Sequence, residues 1–139
     1  MRQPTGSPGG WSEARHALLL AALYMAFAAA DALLTAELVF GRGLYSELNP
    51  FVAGLYERYG VLGPLLADAM ALLALYCFAL AARELLPAAP RRAWLVIPAA
   101  AVAARALPVV HNVLLHLAGV ETPLAQLYLH LARALGVVG

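Results

Sequence analysis

Three long apolar runs dominate this sequence and limit the folds that it can adopt. They cover residues 17–40, 64–82 and 93–117, and few charged side chains interrupt them. A helix needs about 20 apolar residues to cross the roughly 30 Å hydrocarbon layer of a bilayer. Because that layer offers no water to backbone groups, an isolated spanning segment has to be helical. The runs therefore predict an all-α integral membrane protein with a bundle of three or four transmembrane helices.

Two shorter helices are predicted where a capping residue is followed directly by proline. At Asn49 this pair opens a helix over residues 50–59, whose mixture of apolar and charged side chains is typical of a short interfacial helix. At Thr122 it opens a last helix over residues 123–135, which is short for a complete span. The number of spans therefore depends on whether this last helix crosses the bilayer.

The N-terminal region carries two competing signals. Residues 1–12 are rich in proline and glycine, which predicts a disordered tail followed by a single transmembrane helical domain over residues 13–139. Ser12 is then the expected N-cap of the first helix. The stretch up to Ala30 also resembles a secretory signal with small residues before a cleavage point. Because the apolar run continues to Phe40, we favour a retained span.

Arginine residues are distributed unevenly around the apolar runs. One side of the membrane would carry Arg2, Arg15, Arg83, Arg91 and Arg92, and the other side Arg42 and Arg58. Since cytoplasmic loops carry the excess of positive charge, we predict a multi-pass protein of the cell membrane with a cytoplasmic N-terminus. The net charge of +1 and the lack of a basic stripe give no basis for a nucleic-acid partner. The predicted partner is the lipid bilayer.

The third apolar run carries a polar face. At about 100° per residue, Arg105, Asn112 and His116 fall on nearly one line of a helix. At 1.5 Å per residue, Asp31 lies roughly 20 Å from the cytoplasmic edge and Asp68 roughly 6 Å below the outer edge. These side chains therefore gather in the outer half of the bilayer. The candidate polar cluster comprises Asp31, Thr35, Glu47, Asn49, Asp68, Arg105, His111, Asn112 and His116.

Other polar side chains in the runs are assigned to packing or to the interface. Glu37 does not share the face of Asp31 and lies near the end of its run, so we expect it to reach the membrane surface. Tyr24, Tyr76 and Trp94 are interpreted as packing and interface anchors.

The interpretation that we favour for the cluster is structural and needs no cofactor. Ion pairs and hydrogen bonds would satisfy each buried polar group without any chemistry. A second interpretation is a metal-dependent membrane hydrolase, with His116, Asp31 and Asp68 binding zinc or another divalent ion. His111 and His116 are about 140° apart on a helix, so a regular helix would not present both to one ion.

A third interpretation is an ion- or proton-coupled transport subunit, because ionisable groups inside a membrane often mark such paths. Three spans are few for a pathway, so this version requires a homo-oligomer. The small residues at 28–30 and 99–104 would permit close helix packing within or between subunits.

The polar residues also form a pattern along the chain: D-x-x-x-T begins at Asp31 and E-x-N-P begins at Glu47. Together with His111 and Asn112, this pattern resembles an uncharacterised family of small prokaryotic multi-spanning membrane proteins, catalogued as a domain of unknown function. The resemblance covers residues 20–117. It implies the fold and the membrane location, and it supplies no catalytic role.

One position departs from the pattern of that family. Members commonly have a lysine in the second span, where this chain has Asp68. A simple pair of aspartate and lysine therefore does not carry over, although Arg105 could supply the missing positive charge.

Overall fold

The protein is almost entirely helical in the part of the chain that the structure describes. The computed structural model describes residues 8–42, 50–86, 88, 90, 92–119, 127 and 130. These residues form α1 (Pro8–Arg42), α2 (Pro50–Tyr59), α3 (Leu62–Leu85) and α4 (Val96–Ala118), with a short 3₁₀ turn at Ala93–Leu95 before α4. Strands are absent from these residues, so the predicted all-α class is confirmed.

Three helices are long and apolar enough to cross a membrane. The first spanning segment is Ser12–Glu37 of α1, and the second is α3 itself, Leu62–Leu85. The third, Ala93–Ala118, comprises the 3₁₀ turn and α4. They confirm the three predicted apolar spans and identify a multi-pass membrane protein. The last helix predicted over residues 123–135 lies outside the described residues, apart from Leu127 and His130.

The first helix begins earlier than the sequence pattern predicts. α1 starts at Pro8, so Ser12 lies inside the helix and is not its N-cap. The fixed φ of proline suits the first helical position, where its missing N–H costs no hydrogen bond. Residues 8–12 therefore belong to the helix and not to the predicted tail, and residues 1–7 lie outside the described part.

α1 and α4 run parallel to each other. At one end of the pair, Arg92 Nη2 donates to Ser12 Oγ at 3.2 Å. At the other end, His116 Nε2 lies 3.5 Å from Glu37 Oε1. We call these the Ser12 end and the His116 end. Both helices therefore advance in the same direction along their shared contact, which is the most extensive one in the bundle.

α3 runs antiparallel to these two helices. Arg83, near the C-terminus of α3, lies 3.8 Å from Glu13 near the start of α1. Tyr76 OH donates to the Ala17 carbonyl at 2.5 Å, and the Tyr76 ring packs edge-on against Trp94 with ring centroids 6.4 Å apart. The three spans are thus fastened together at the Ser12 end.

Small side chains let the helices approach closely. Ala28, Ala32 and Ala36 are spaced four residues apart along α1, and all three are buried. Since lipid is as apolar as a leucine side chain, close packing of small residues is a main source of helix association in membranes. Large side chains such as Leu18 and Leu66 lie on the outside of the bundle. Their exposed surface suits contact with lipid.

The short helix α2 has the bounds that the sequence predicts, and it is tightly packed. Tyr56 is buried, and its hydroxyl donates to the Ala32 carbonyl of α1 at 2.8 Å. A Cβ placed on Gly63 would lie 2.6 Å from the Leu55 carbonyl oxygen, so this contact with α3 requires glycine. α2 is therefore held against both α1 and α3.

Candidate functional site

A single arginine joins all three spanning helices. Arg105 of α4 places Nη2 3.2 Å from Asp31 Oδ2 of α1. The same nitrogen donates to Asp68 Oδ2 of α3. A guanidinium carries five N–H donors in a planar fork, which allows one nitrogen to serve two acceptors. Arg105 thus forms two ion pairs at the point where the three helices meet.

The remaining carboxylate oxygens have their own donors. Asp31 Oδ1 accepts from Asn112 Nδ2 of α4 at 2.7 Å. Asp68 Oδ1 accepts from the hydroxyl of Tyr24 on α1 at 3.3 Å. All four carboxylate oxygens therefore have a donor, which lowers the cost of holding these charges away from water.

Asn112 ties two turns of α1 to α4. Its Nδ2 also donates to Thr35 Oγ1 at 3.0 Å. Asp31 and Thr35 share a helix face because they are four residues apart, and Tyr24 shares it because it lies seven residues before Asp31. The same spacing of seven aligns Arg105 with Asn112 on α4. The polar network, as we define it, comprises Tyr24, Asp31, Thr35, Asp68, Arg105 and Asn112.

The network is partly open and carries unequal charge. The side chains of Arg105, Asp31 and Asp68 are 22%, 14% and 15% exposed. With both carboxylates ionised, two negative charges face one positive charge. The trio of Arg105, Asp31 and Asp68 therefore has a net charge of −1. Arg105 Nε is buried and has no hydrogen-bond partner within the described part of the chain. The trio thus has one negative charge in excess and one N–H without an acceptor.

A contact between His116 and Glu37 extends the polar contacts towards the His116 end. His116 and Glu37 are more exposed, with 35% and 65% of their side-chain surfaces accessible. Together with the contacts of Arg105 and Asn112 they form a row of polar contacts between α1 and α4, which we call the polar seam. The polar seam comprises Arg105, Asp31, Asn112, Thr35, Glu37 and His116.

The structure assembles part of the candidate cluster predicted from the sequence. It brings together Asp31, Thr35, Asp68, Arg105 and Asn112. His111 lies close enough to Asp31 for an electrostatic interaction. Two further members of the predicted cluster, Glu47 and Asn49, lie outside the described residues.

The trio predicted to bind a metal is not assembled. His116 contacts Glu37 instead of Asp31 or Asp68. Among the described residues, no group of three His, Cys, Asp or Glu side chains is placed to hold a metal ion. The reason lies in helix geometry, because His116 is three turns of α4 beyond Arg105 and contacts Glu37, which lies beyond Asp31 towards the same end of the bundle.

Two residues take part that the sequence interpretation assigned elsewhere. Tyr24 was expected to be a packing anchor, yet its hydroxyl contacts Asp68. Glu37 was expected to reach the membrane surface, and in the structure it also pairs with His116. The spacing of seven residues between Tyr24 and Asp31 could have indicated the first contact. The second depends on the parallel packing of α1 and α4, which the sequence alone does not reveal.

Comparison with known proteins identifies one family. The sequence model of a family described as a domain of unknown function, DUF5658, matches residues 21–118. The match covers more than two thirds of the chain and includes every member of the polar network and of the polar seam. No curated protein and no solved structure gives a significant match.

Proposed function

This chain belongs to the DUF5658 family, a domain of unknown function, and from its geometry we propose that the polar network is a structural lock between the three transmembrane helices. The observation that carries the proposal is the position of Arg105 Nη2 between Asp31 and Asp68. Removing Arg105 leaves two unpaired carboxylates in a medium of low dielectric, which is strongly unfavourable, and removing either aspartate breaks one of the ion pairs between helices.

The lock would fix the register of the helices as well as their association. Contacts among alanine and leucine side chains in lipid are similar for several rotations and translations of a helix. A rotation by one residue, about 100°, would carry Arg105 away from both carboxylates. The polar network therefore favours one arrangement of α1, α3 and α4 over its apolar alternatives.

The distribution of arginines supports a cytoplasmic Ser12 end. That end carries the described side chains of Arg15, Arg83 and Arg92, whereas Arg58 of α2 lies towards the other end. The excess of arginine favours the cytoplasmic side of the cell membrane. In this orientation the polar network lies in the outer half of the bilayer, and the polar seam leads to the outer surface.

A double-mutant cycle tests the lock. Asp31→Asn, Arg105→Gln and the double variant would each be unfolded in detergent micelles, and the free energy of unfolding measured. Because the two side chains touch, we expect a coupling energy above about 0.5 kcal/mol. The matched control is a cycle of Glu13→Gln with Arg105→Gln, since Glu13 lies at the far end of α1. Additive effects for Asp31 and Arg105 would contradict the structural proposal.

The polar seam favours a second candidate function, an ion- or proton-coupled transport subunit. Ionisable and polar contacts between α1 and α4 recur from Arg105 to His116. Because the seam stops at the network, a complete pathway would need further copies of this chain. Homo-oligomer formation measured in native membranes would support this candidate. The metal-dependent hydrolase gains no support from the described geometry.

A further inference from the structure

We propose that the polar seam is a water-filled cleft, open at the His116 end, that admits one small monovalent cation to the carboxylates of Asp31 and Asp68. The proposal takes the geometry of the structural lock as its starting point and adds a ligand to it. Three independent observations support it: the continuity of the seam, its exposure and its charge.

The first observation is the continuity of the polar seam between α1 and α4. Asn112 follows Arg105 after two turns of α4, and His116 follows after one more. Each of these three side chains contacts a partner on α1, namely Asp31, Thr35 or Glu37. Polar side chains therefore meet at three successive levels in the half of the α1–α4 contact that ends at His116.

Exposure indicates what fills the space beside these side chains. The accessible fractions of the ionisable side chains rise from 14% at Asp31 to 65% at Glu37. Ionisable groups at these depths rarely face lipid, and they usually face a protein interior or a water-filled cavity.

Charge indicates which ligand the cleft would take. Asp31 and Asp68 together exceed the charge of Arg105 by one unit, so one monovalent cation makes the group neutral. The other titratable groups that face the trio are His111, beside Asp31, and Tyr24, beside Asp68. Carboxylate, hydroxyl and amide oxygens suit hard cations. A divalent ion would reverse the charge and leave it equally unbalanced.

Cysteine labelling tests the cleft. The background is Cys77→Ser, because Cys77 is the only cysteine of the chain. Thr35→Cys places a thiol inside the seam, and Leu33→Cys places one at a similar depth on the exposed, lipid-facing side. A charged, membrane-impermeant thiosulfonate reagent would be added to one side of sealed membrane vesicles at a time. Since the reagent attacks the thiolate, a thiol in lipid should react far more slowly than one in water.

We expect Thr35→Cys to be labelled from the His116 side only, and Leu33→Cys to remain unlabelled from both sides. Val109→Cys provides a second test position, one turn beyond Arg105 on the same face of α4, that takes no part in the polar network. Ala101→Cys, one turn from Arg105 towards the Ser12 end, should resist labelling. If Thr35→Cys and Val109→Cys react no faster than Leu33→Cys, the cleft is dry and the proposal is wrong.

The cation is tested by thermal unfolding of the full chain in detergent. Melting temperatures would be compared in NaCl and in choline chloride of equal ionic strength. A cation that binds only the folded state raises its stability, so Tm should rise with NaCl and stay constant with choline. Asp68→Asn removes the excess charge and should abolish this difference. Equal Tm values in the two salts would overturn the cation site.

These outcomes are independent of the double-mutant cycle. The structural lock predicts coupling between Asp31 and Arg105 whether or not water enters the seam. Absent labelling together with strong coupling would therefore reject the cleft alone. Labelling without coupling would reject the lock alone.

Discussion

The two halves of the α1–α4 contact consist of different types of side chain. Between the Ser12 end and Arg105, the facing segment of α4 consists of alanine, valine, isoleucine and proline. Between Arg105 and the His116 end, the same two helices meet through the polar seam. At the Ser12 end of that apolar half, Arg92, which precedes α4, donates to Ser12 of α1.

This difference shows two ways of joining helices in a membrane. The apolar half depends on the fit of small side chains, and a fully buried alanine such as Ala28 leaves no space for a larger group. The polar half depends on the pairing of specific atoms. Association can come from either half, whereas a unique register comes mainly from the polar one.

The largest effect should come from breaking the polar half at its centre. Arg105→Met leaves Asp31 and Asp68 without their shared cation, and we expect the free energy of unfolding to fall by about 3 kcal/mol. Arg105→Lys keeps the charge but replaces the planar fork with a compact ammonium group, so its loss should be smaller. Denaturant titration in micelles measures both. A smaller loss of unfolding free energy for Arg105→Met than for Arg105→Lys would contradict the assignment of Arg105 as the shared cation.

Overfilling the apolar half should have the next largest effect. Ala28 is fully buried, so Ala28→Leu should force the helices apart and cost about 2 kcal/mol. Ala22→Leu is the matched control, because Ala22 is exposed on the same helix. Equal stabilities of the two variants would show that close packing at Ala28 is unimportant.

A smaller effect should follow when the polar half loses its second connection. Asn112→Ala removes the donor that Asp31 Oδ1 and Thr35 Oγ1 share. We expect a loss of about 1.5 kcal/mol in the free energy of unfolding, because one of the two acceptors is a charged group. The comparison variant is Thr35→Val, which removes only the neutral acceptor. It should cost less than Asn112→Ala when both are unfolded under the same conditions.

The smallest loss of stability should come from Tyr24, which lies at the boundary between the apolar half and the polar half. Tyr24→Phe deletes the hydroxyl that donates to Asp68 at 3.3 Å, and hydrogen bonds between membrane helices contribute about 0.6 kcal/mol on average. Tyr59→Phe deletes an exposed hydroxyl and should have no measurable effect. A larger loss of unfolding free energy for Tyr59→Phe than for Tyr24→Phe would contradict this position of the boundary.

The sequence predicts the spans well because their signal is local. Apolar runs of sufficient length identify α1, α3 and α4, and a capping residue before Pro50 predicts α2 with its observed bounds. The sequence does not predict the start of α1 at Pro8, because the glycines at positions 9 and 10 have low helix propensity and indicate a loop.

The site is predictable where depth alone decides which residues meet. Counting residues along three spans places Asp31 and Asp68 in the outer half of the bilayer and Arg105 near its middle, and the structure brings the three side chains together. Pairs such as Glu37 with His116 depend on which helices are neighbours and on how each is rotated. Those properties arise from packing among all the helices, and no single stretch of sequence encodes them.

The order of the charged residues along the chain affects how the protein is made. Asp31 and Asp68 belong to the first two spans, and Arg105 belongs to the third. A ribosome produces the chain from its N-terminus, so both acids are synthesised before their shared base. We therefore expect α1 and α3 to remain loosely associated during synthesis. The arrival of α4 would then complete the bundle in a single late step.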